Sequence, residues 1–250
     1  MSTTIEERVS AEVAYVLPRV TTVPEAIARM EALQAYMESR EPRRGSDGVA
    51  CFNHLYTVIT KRVLEGIEAG DFADAEFMTA LDITFANRYF DALRASVQDP
   101  SAVPRVWNVL IERRSDDRVG AIQFAVAGVN AHVNLDLAVA VVQTCAEIGD
   151  APNEGTQRAD YEKINDIFAE EMRSLREYYE DKLERAVEEF AAPALDVIGN
   201  WSVDHARDAA WAVSEQLWDL QQEGKDIGPW VRRVDRLAAL AGHLLLTPMR

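Results

Sequence analysis

Apolar residues recur along this chain in threes and fours, the spacing that lines one face of an α-helix. Ile27, Met30, Leu33 and Met37 follow it, as do Phe52, Leu55, Ile59 and Val63, and then Met78, Phe85, Tyr89 and Leu93. No stretch alternates in twos, so the predicted fold is all-α, a single bundle of about eight helices. Thr22 and Glu25 have capping-box spacing, and Pro24 falls in the first turn of the helix they open. Glycine, proline and aspartate punctuate the rest: residues 41–48, 70–74, 98–104, 115–120, 149–157, 191–202 and 224–229 read as breaks. The helices between them are expected over residues 4–16, 22–40, 49–68, 75–97, 104–114, 121–148, 160–190 and 202–223. A last helix follows Pro229 and carries Val231, Val234, Leu237, Leu240 and Leu244. The loop at 41–48 sets off an N-terminal helical arm, residues 1–45, from a bundle domain over 46–250, and the two are expected to form one compact unit.

One stretch departs from one-faced patterning. Residues 121–148 are apolar almost all round, which marks a buried central helix, yet Asn130, His132, Asn134 and Asp136 cluster at its middle. Buried polar groups without partners cost several kcal/mol each, roughly 2–7, so this cluster is the place to look for chemistry. Gly128 in the same helix permits a kink or close packing. His132 and Asp136, four residues apart, share one face, as do Asn130 and Asn134 on an adjoining one. A carboxylate beside a histidine can orient it for acid–base work, or both can ligate a divalent metal. Asp82 repeats the anomaly on another helix, a charge set among Met78, Phe85 and Tyr89. Arg88 is about 240° around the helix from it and so is poorly placed to pair with it.

His132 and Asp82 are therefore the candidate catalytic groups, with Asp136 as orienter. Asn130, Asn134, Arg88, Tyr89, Asn165 and Trp211 are candidate substrate contacts. The walls offered by Phe85, Tyr89, Phe124 and Trp211 suit a small, largely apolar molecule. If a metal were bound, His132, Asp136 and Asp82 would hold it with water, though no HExxH or ExxH motif is present. Arg207 one turn before Trp211 has the spacing of a cation–π pair, expected to be a packing contact. His54 and His205 belong to no motif spacing and are expected to be surface or core residues. His243, in the apolar run LAGHLLL, could close a site but is expected to be a satisfied core histidine. The acidic helix at 160–190 carries a coiled-coil-like stripe from Tyr161 and Ile164 through Phe168 to Phe190. Its NDIFAEEMR segment lacks the hydroxyl and second carboxylate of the terpene-cyclase metal motif. Nucleotide-binding glycine loops are absent as well, so no nucleotide cofactor is expected.

Composition narrows the classes. Of 250 residues, 48% are apolar and 27% charged, ordinary for a globular protein, but the formal net charge is −16. Such a surface disfavours nucleic acid and anionic membranes. Cys51 and Cys145 fit no metal or redox spacing and are expected as buried thiols. The N-terminus has no apolar signal region, and the polar centre of the 121–148 helix disfavours membrane spanning; a cytoplasmic location is expected, and the chain could form a homodimer.

Three stretches together are similar to a known family: Leu81-Asp82-x-x-Phe85-Ala86-x-Arg88-Tyr89, Asn130-Ala131-His132-x-Asn134-x-Asp136-Leu137, and Ala206-Arg207-Asp208-x-x-Trp211. They resemble an uncharacterised bacterial family, domain of unknown function 5995, over roughly residues 50–246. The resemblance implies a mainly helical domain with Asp82, Arg88, His132 and Asp136 at motif positions, and no activity comes with it. The reading that follows is a small-molecule enzyme with acid–base or metal-assisted chemistry, such as cyclisation, isomerisation, elimination or hydrolysis. The alternative is a non-catalytic ligand-binding or interaction module whose polar core is structural.

Overall fold

The apolar helix at the middle of the chain is the axis on which the others pack. The structure, a computed structural model, describes residues 18–40, 47–183 and 203–248, with the side chains of 172–183 excepted. The expected helix at 4–16 and the stripe beyond Glu171 lie outside the described residues and side chains. Among the described residues there are eight helices and no strand: α1 (Val23–Arg40), α2 (Gly48–Ala69), α3 (Ala75–Gln98), α4 (Arg105–Arg113), α5 (Ala121–Ile148), α6 (Gln157–Leu183), α7 (Val203–Gln222) and α8 (Gly228–Leu245). α2, α3, α4, α6, α7 and α8 all touch α5, while α1 packs on the outside of α2 and α3. By length and composition α5 could cross a membrane, but 94% of its most apolar window is buried inside the bundle.

Local chemistry sets the ends of these helices. The Asp47 carboxylate accepts from the Val49 and Ala50 N–H groups at 2.9 and 3.1 Å, capping α2, and Arg114 holds the same carboxylate at 2.7 Å. Asp74 caps α3 through the Phe77 N–H at 2.9 Å. Asp235 of α8 accepts from the Arg105 and Val106 N–H groups, both at 3.0 Å, and so caps α4 from another helix. Buried Asp160 takes the Ala73 and Asp74 N–H groups at 3.0 and 2.6 Å, tying the start of α6 to the α2–α3 turn. At Gly128, an added Cβ would stand 2.4 Å from the Phe52 Cβ. The glycine lets α2 cross α5 closely and brings Phe52 against the polar centre.

Two features differ from the sequence pattern. Residues His132–Leu137 of α5 form a π-helical segment rather than regular α-helix, a widening in which hydrogen bonds run from i to i+5. On α8 the leucine stripe faces outward: Leu237, Leu240 and Leu244 are 60%, 63% and 73% exposed. Ala238, Ala239, Gly242 and Leu245 are buried instead. The small side chains allow close approach; a Cβ on Gly242 would stand 3.4 Å from Val109 and 3.5 Å from the Asn130 amide. Cys51 and Cys145 are buried thiols in no disulfide.

Candidate functional site

Three donors from three helices converge on the Asp136 carboxylate. Arg88 Nε of α3 donates to Oδ1 at 3.1 Å, and Trp107 Nε1 of α4 donates to Oδ2 at 2.8 Å. His132 Nδ1, one turn away on α5, meets the same Oδ2 at 3.1 Å. A carboxylate can only accept, so Nδ1 carries the hydrogen and the Nε2 lone pair points the other way. Burial lowers the His132 pKa against the opposing pull of Asp136, with Arg88 lowering it further. The neutral imidazole is therefore the resting form at neutral pH.

Aromatic rings fix its plane. Phe85 stacks on the imidazole with centroids 3.5 Å apart and planes within 6°. Tyr56 stands edge-on at 4.5 Å, and Phe52 and Trp107 close the sides at 5.5 and 5.9 Å. A ring held on every side cannot rotate to offer Nε2 elsewhere.

Nε2 faces a narrow cavity of about 40 Å³ bordered by α2, α3, α5, α6 and Arg207 of α7. That is room for roughly three waters. Its lining is apolar for the most part, from Leu55, Ile59 and Val63 to Ile164 and Phe168. Three buried polar atoms of lining residues, His132 Nε2, Asp82 Oδ2 and Tyr56 Oη, make no hydrogen bond to a described residue. The Thr60 hydroxyl is near Tyr56, but neither hydroxyl completes a bond of ordinary geometry. Desolvation alone pushes the Asp82 carboxyl up to about 7. Burial, aided by the Asp82 charge, pushes the Tyr56 hydroxyl well above its usual range. Native interiors seldom leave such atoms unpaired, and three around one cavity need an explanation.

The other candidate residues sit outside this cavity. Arg88 is spent on Asp136, and the Tyr89 hydroxyl donates to the buried Asn53 side chain at 3.2 Å. Asn134 donates to Asn130 at 2.9 Å, and Asn130 donates to the Ala238 carbonyl at 3.0 Å, so this pair joins α5 to α8. Asn165 accepts from Arg207, and Trp211 donates to Asn153 at 3.3 Å. Of the four expected walls only Phe85 borders the cavity; Tyr89, Phe124 and Trp211 are packed elsewhere in the core. Arg207 stacks on Tyr161, with its guanidinium carbon 4.1 Å above the ring, rather than on Trp211. The spacing that suggested Trp211 was right for one helix face, but Tyr161 of α6 lies between the two, 4.7 Å from the Trp211 ring. His132, Asp136 and Asp82 do not gather as a metal-ligating set, since no group of three such residues does so among the described ones. The Asp136 oxygens are turned to Arg88, Trp107 and His132 instead. His205 is exposed and His54 half-buried; His243, expected in the core from its apolar run, is exposed instead, because the leucine stripe around it faces outward.

Two participants have no counterpart in the motif reading. Tyr56 follows Phe52 by one turn and precedes Ile59, so its place in the apolar register should have flagged a buried hydroxyl. Trp107 gave no signal beyond its place in a short amphipathic helix.

The fold and site define a class: a helical bundle with a neutral histidine, locked by a carboxylate, on a narrow apolar cavity. A family of unknown function (DUF5995) matches residues 23–248, and the chain belongs to that family. No curated protein and no solved structure matches the chain.

Proposed function

We propose that the protein is a small-molecule enzyme whose buried cavity carries out acid–base chemistry on a largely apolar substrate. The observation that carries this reading is three buried polar side chains on the lining of one cavity, Tyr56, Asp82 and His132, each with an atom that bonds no described residue, with His132 Nε2 presented as a base. His132 takes a proton from the substrate, and Asp136 keeps the tautomer and stabilises the imidazolium that forms. Asp82, half-protonated near pH 7, returns a proton at a second atom, and the Tyr56 hydroxyl donates a hydrogen bond to developing negative charge. In an isomerisation the net change is a proton moved between two positions. In an elimination or hydrolysis the Asp82 proton goes to the leaving group, and in hydrolysis His132 takes its proton from the attacking water. Return of the His132 proton to Asp82 through water restores the resting state. A substrate larger than a few heavy atoms requires other side chains of the lining, such as Ile164 or Phe168, to give way. The burial of α5 supports a soluble, cytoplasmic protein, and the net charge of −16 supports partners other than nucleic acid.

The narrowness of the cavity favours a second reading, a non-catalytic binding module. The two are separated by incubating the protein with a small-molecule cell extract and following it by mass spectrometry. Wild type is compared with His132→Gln and Asp136→Asn, each first checked for helix content. Conversion by wild type alone, declining as pH rises above about 7 where Asp82 ionises, is the expected result. Protection of a metabolite without any conversion would favour the binding module.

A further inference from the structure

The cavity has a second polar end. Arg207 of α7 is only 2% exposed, and its guanidinium borders the same cavity as Asp82 and His132. Its Nε donates to Asn165 Oδ1 and its Nη2 to the Tyr161 carbonyl, both at 2.6 Å, and the Tyr161 ring covers one face. All three partners are neutral, and Nη1 donates to no described residue. The acidic groups that act on it, Asp204 and Asp208, are exposed on its own helix, and neither hydrogen-bonds to it among the described residues. Taking an ion out of water costs several kcal/mol unless a counter-charge meets it. Among the described residues, a buried cation without a carboxylate partner and a buried carboxyl without a cation share one apolar cavity.

We propose that Arg207 is the anchor for the carboxylate of a short apolar acid, or of the acid-bearing end of a longer molecule. One carboxylate neutralises one guanidinium. A phosphate dianion would leave excess negative charge in a pocket that already holds Asp82, so it fits less well. The apolar body then lies along Ile59, Met78, Leu81 and Phe168, and a polar group beyond it meets His132 Nε2 and Asp82. The inference rests on this cavity being the working site proposed above and gives that site its substrate class.

Sodium butanoate, butan-1-ol and butylamine, titrated into the full chain and followed by NMR, provide the test. Butanoate is expected to bind about ten- to a hundredfold tighter than the alcohol, with the amine weakest. Arg207→Gln should erase that preference and Arg207→Lys retain part of it. Arg207 also clamps Tyr161 and Asn165, so helix content is measured for each variant. If Arg207→Gln does not fold, the ranking of the three probes by wild type still decides. Equal binding of butanoate and butan-1-ol, or no binding of butanoate at about 50 mM, overturns the anchor. The two readings fail separately. A butanoate preference that stands while His132→Gln leaves every conversion in the extract unchanged keeps the anchor and removes the acid–base chemistry. Conversion that needs His132, without a butanoate preference, does the reverse.

Discussion

The bundle buries two aspartates and treats them in opposite ways. Asp136 is 1% exposed and receives donors from Arg88, Trp107 and His132. Asp82, 8% exposed and one helix away, has an oxygen that bonds no described residue. Burial is nearly the same; the donors differ. The donors around Asp136 fix where its oxygens point, whereas desolvation without such donors favours the neutral acid at Asp82. Asp136 is thereby a fixed acceptor that orients a ring, and Asp82, held at about 7, is a group that exchanges a proton at physiological pH. Separating two carboxylates by environment is how one fold assigns acid and orienting roles.

The largest expected effect comes from emptying the satisfied side. Asp136→Ala leaves the Arg88 charge, the Trp107 N–H and the His132 N–H without their acceptor. A broken buried pair costs about 3–5 kcal/mol, so loss near the top of that range is expected in urea unfolding at pH 7. A loss below about 1 kcal/mol would mean that water or another group replaces the carboxylate, and the comparison would fail.

Asp82→Asn should act in the other direction. In the folded state Asp82 keeps its proton up to about 7, against an ordinary 3.8. The native state thus binds more protons between these limits, and stability falls as pH rises through that window. At about 1.4 kcal/mol per pH unit, the burden above pH 7 is on the order of 4 kcal/mol. The neutral amide removes it, so the variant should be more stable than wild type by up to that amount at pH 8 and little changed at pH 4. Destabilisation at pH 8 would show that the Asp82 carboxylate has a stabilising partner in solution.

How much of this was legible follows from the range of each interaction. Helix ends were readable because glycine, proline and capping residues act on neighbouring backbone: Gly70 and Gly149, with φ of 76° and 94°, end α2 and α5 where expected. The pairs His132–Asp136 and Asn130–Asn134 were readable because four residues make one turn. Arg88 and Trp107 lie 48 and 29 positions from Asp136, and only helix packing brings them there. The outward leucines of α8 were opaque for a related reason. Periodicity marks an apolar face, but the buried face is the one whose small residues, Ala238, Ala239 and Gly242, allow the closest approach to α4 and α5. The placement of Arg207 on Tyr161 likewise depends on how α6 lies against α7.

The smallest expected effect separates the two polar pairs of α5 from each other. Asn134 is half-buried and donates to Asn130 Oδ1, while Asn130 secures α8 through the Ala238 carbonyl. Neither residue borders the cavity. Asn134→Ala removes the donor from an acceptor that is fully buried, which costs about 1–2 kcal/mol. Because Asn130 keeps its bond to α8, the helices should stay in register. The transition near pH 7 assigned to Asp82 and the binding of butanoate should both be unchanged. Movement of either in Asn134→Ala would show that the asparagine pair is coupled to the cavity through the π-helical turn. The four polar residues of the central helix would then be one functional unit rather than a structural pair interleaved with a chemical one.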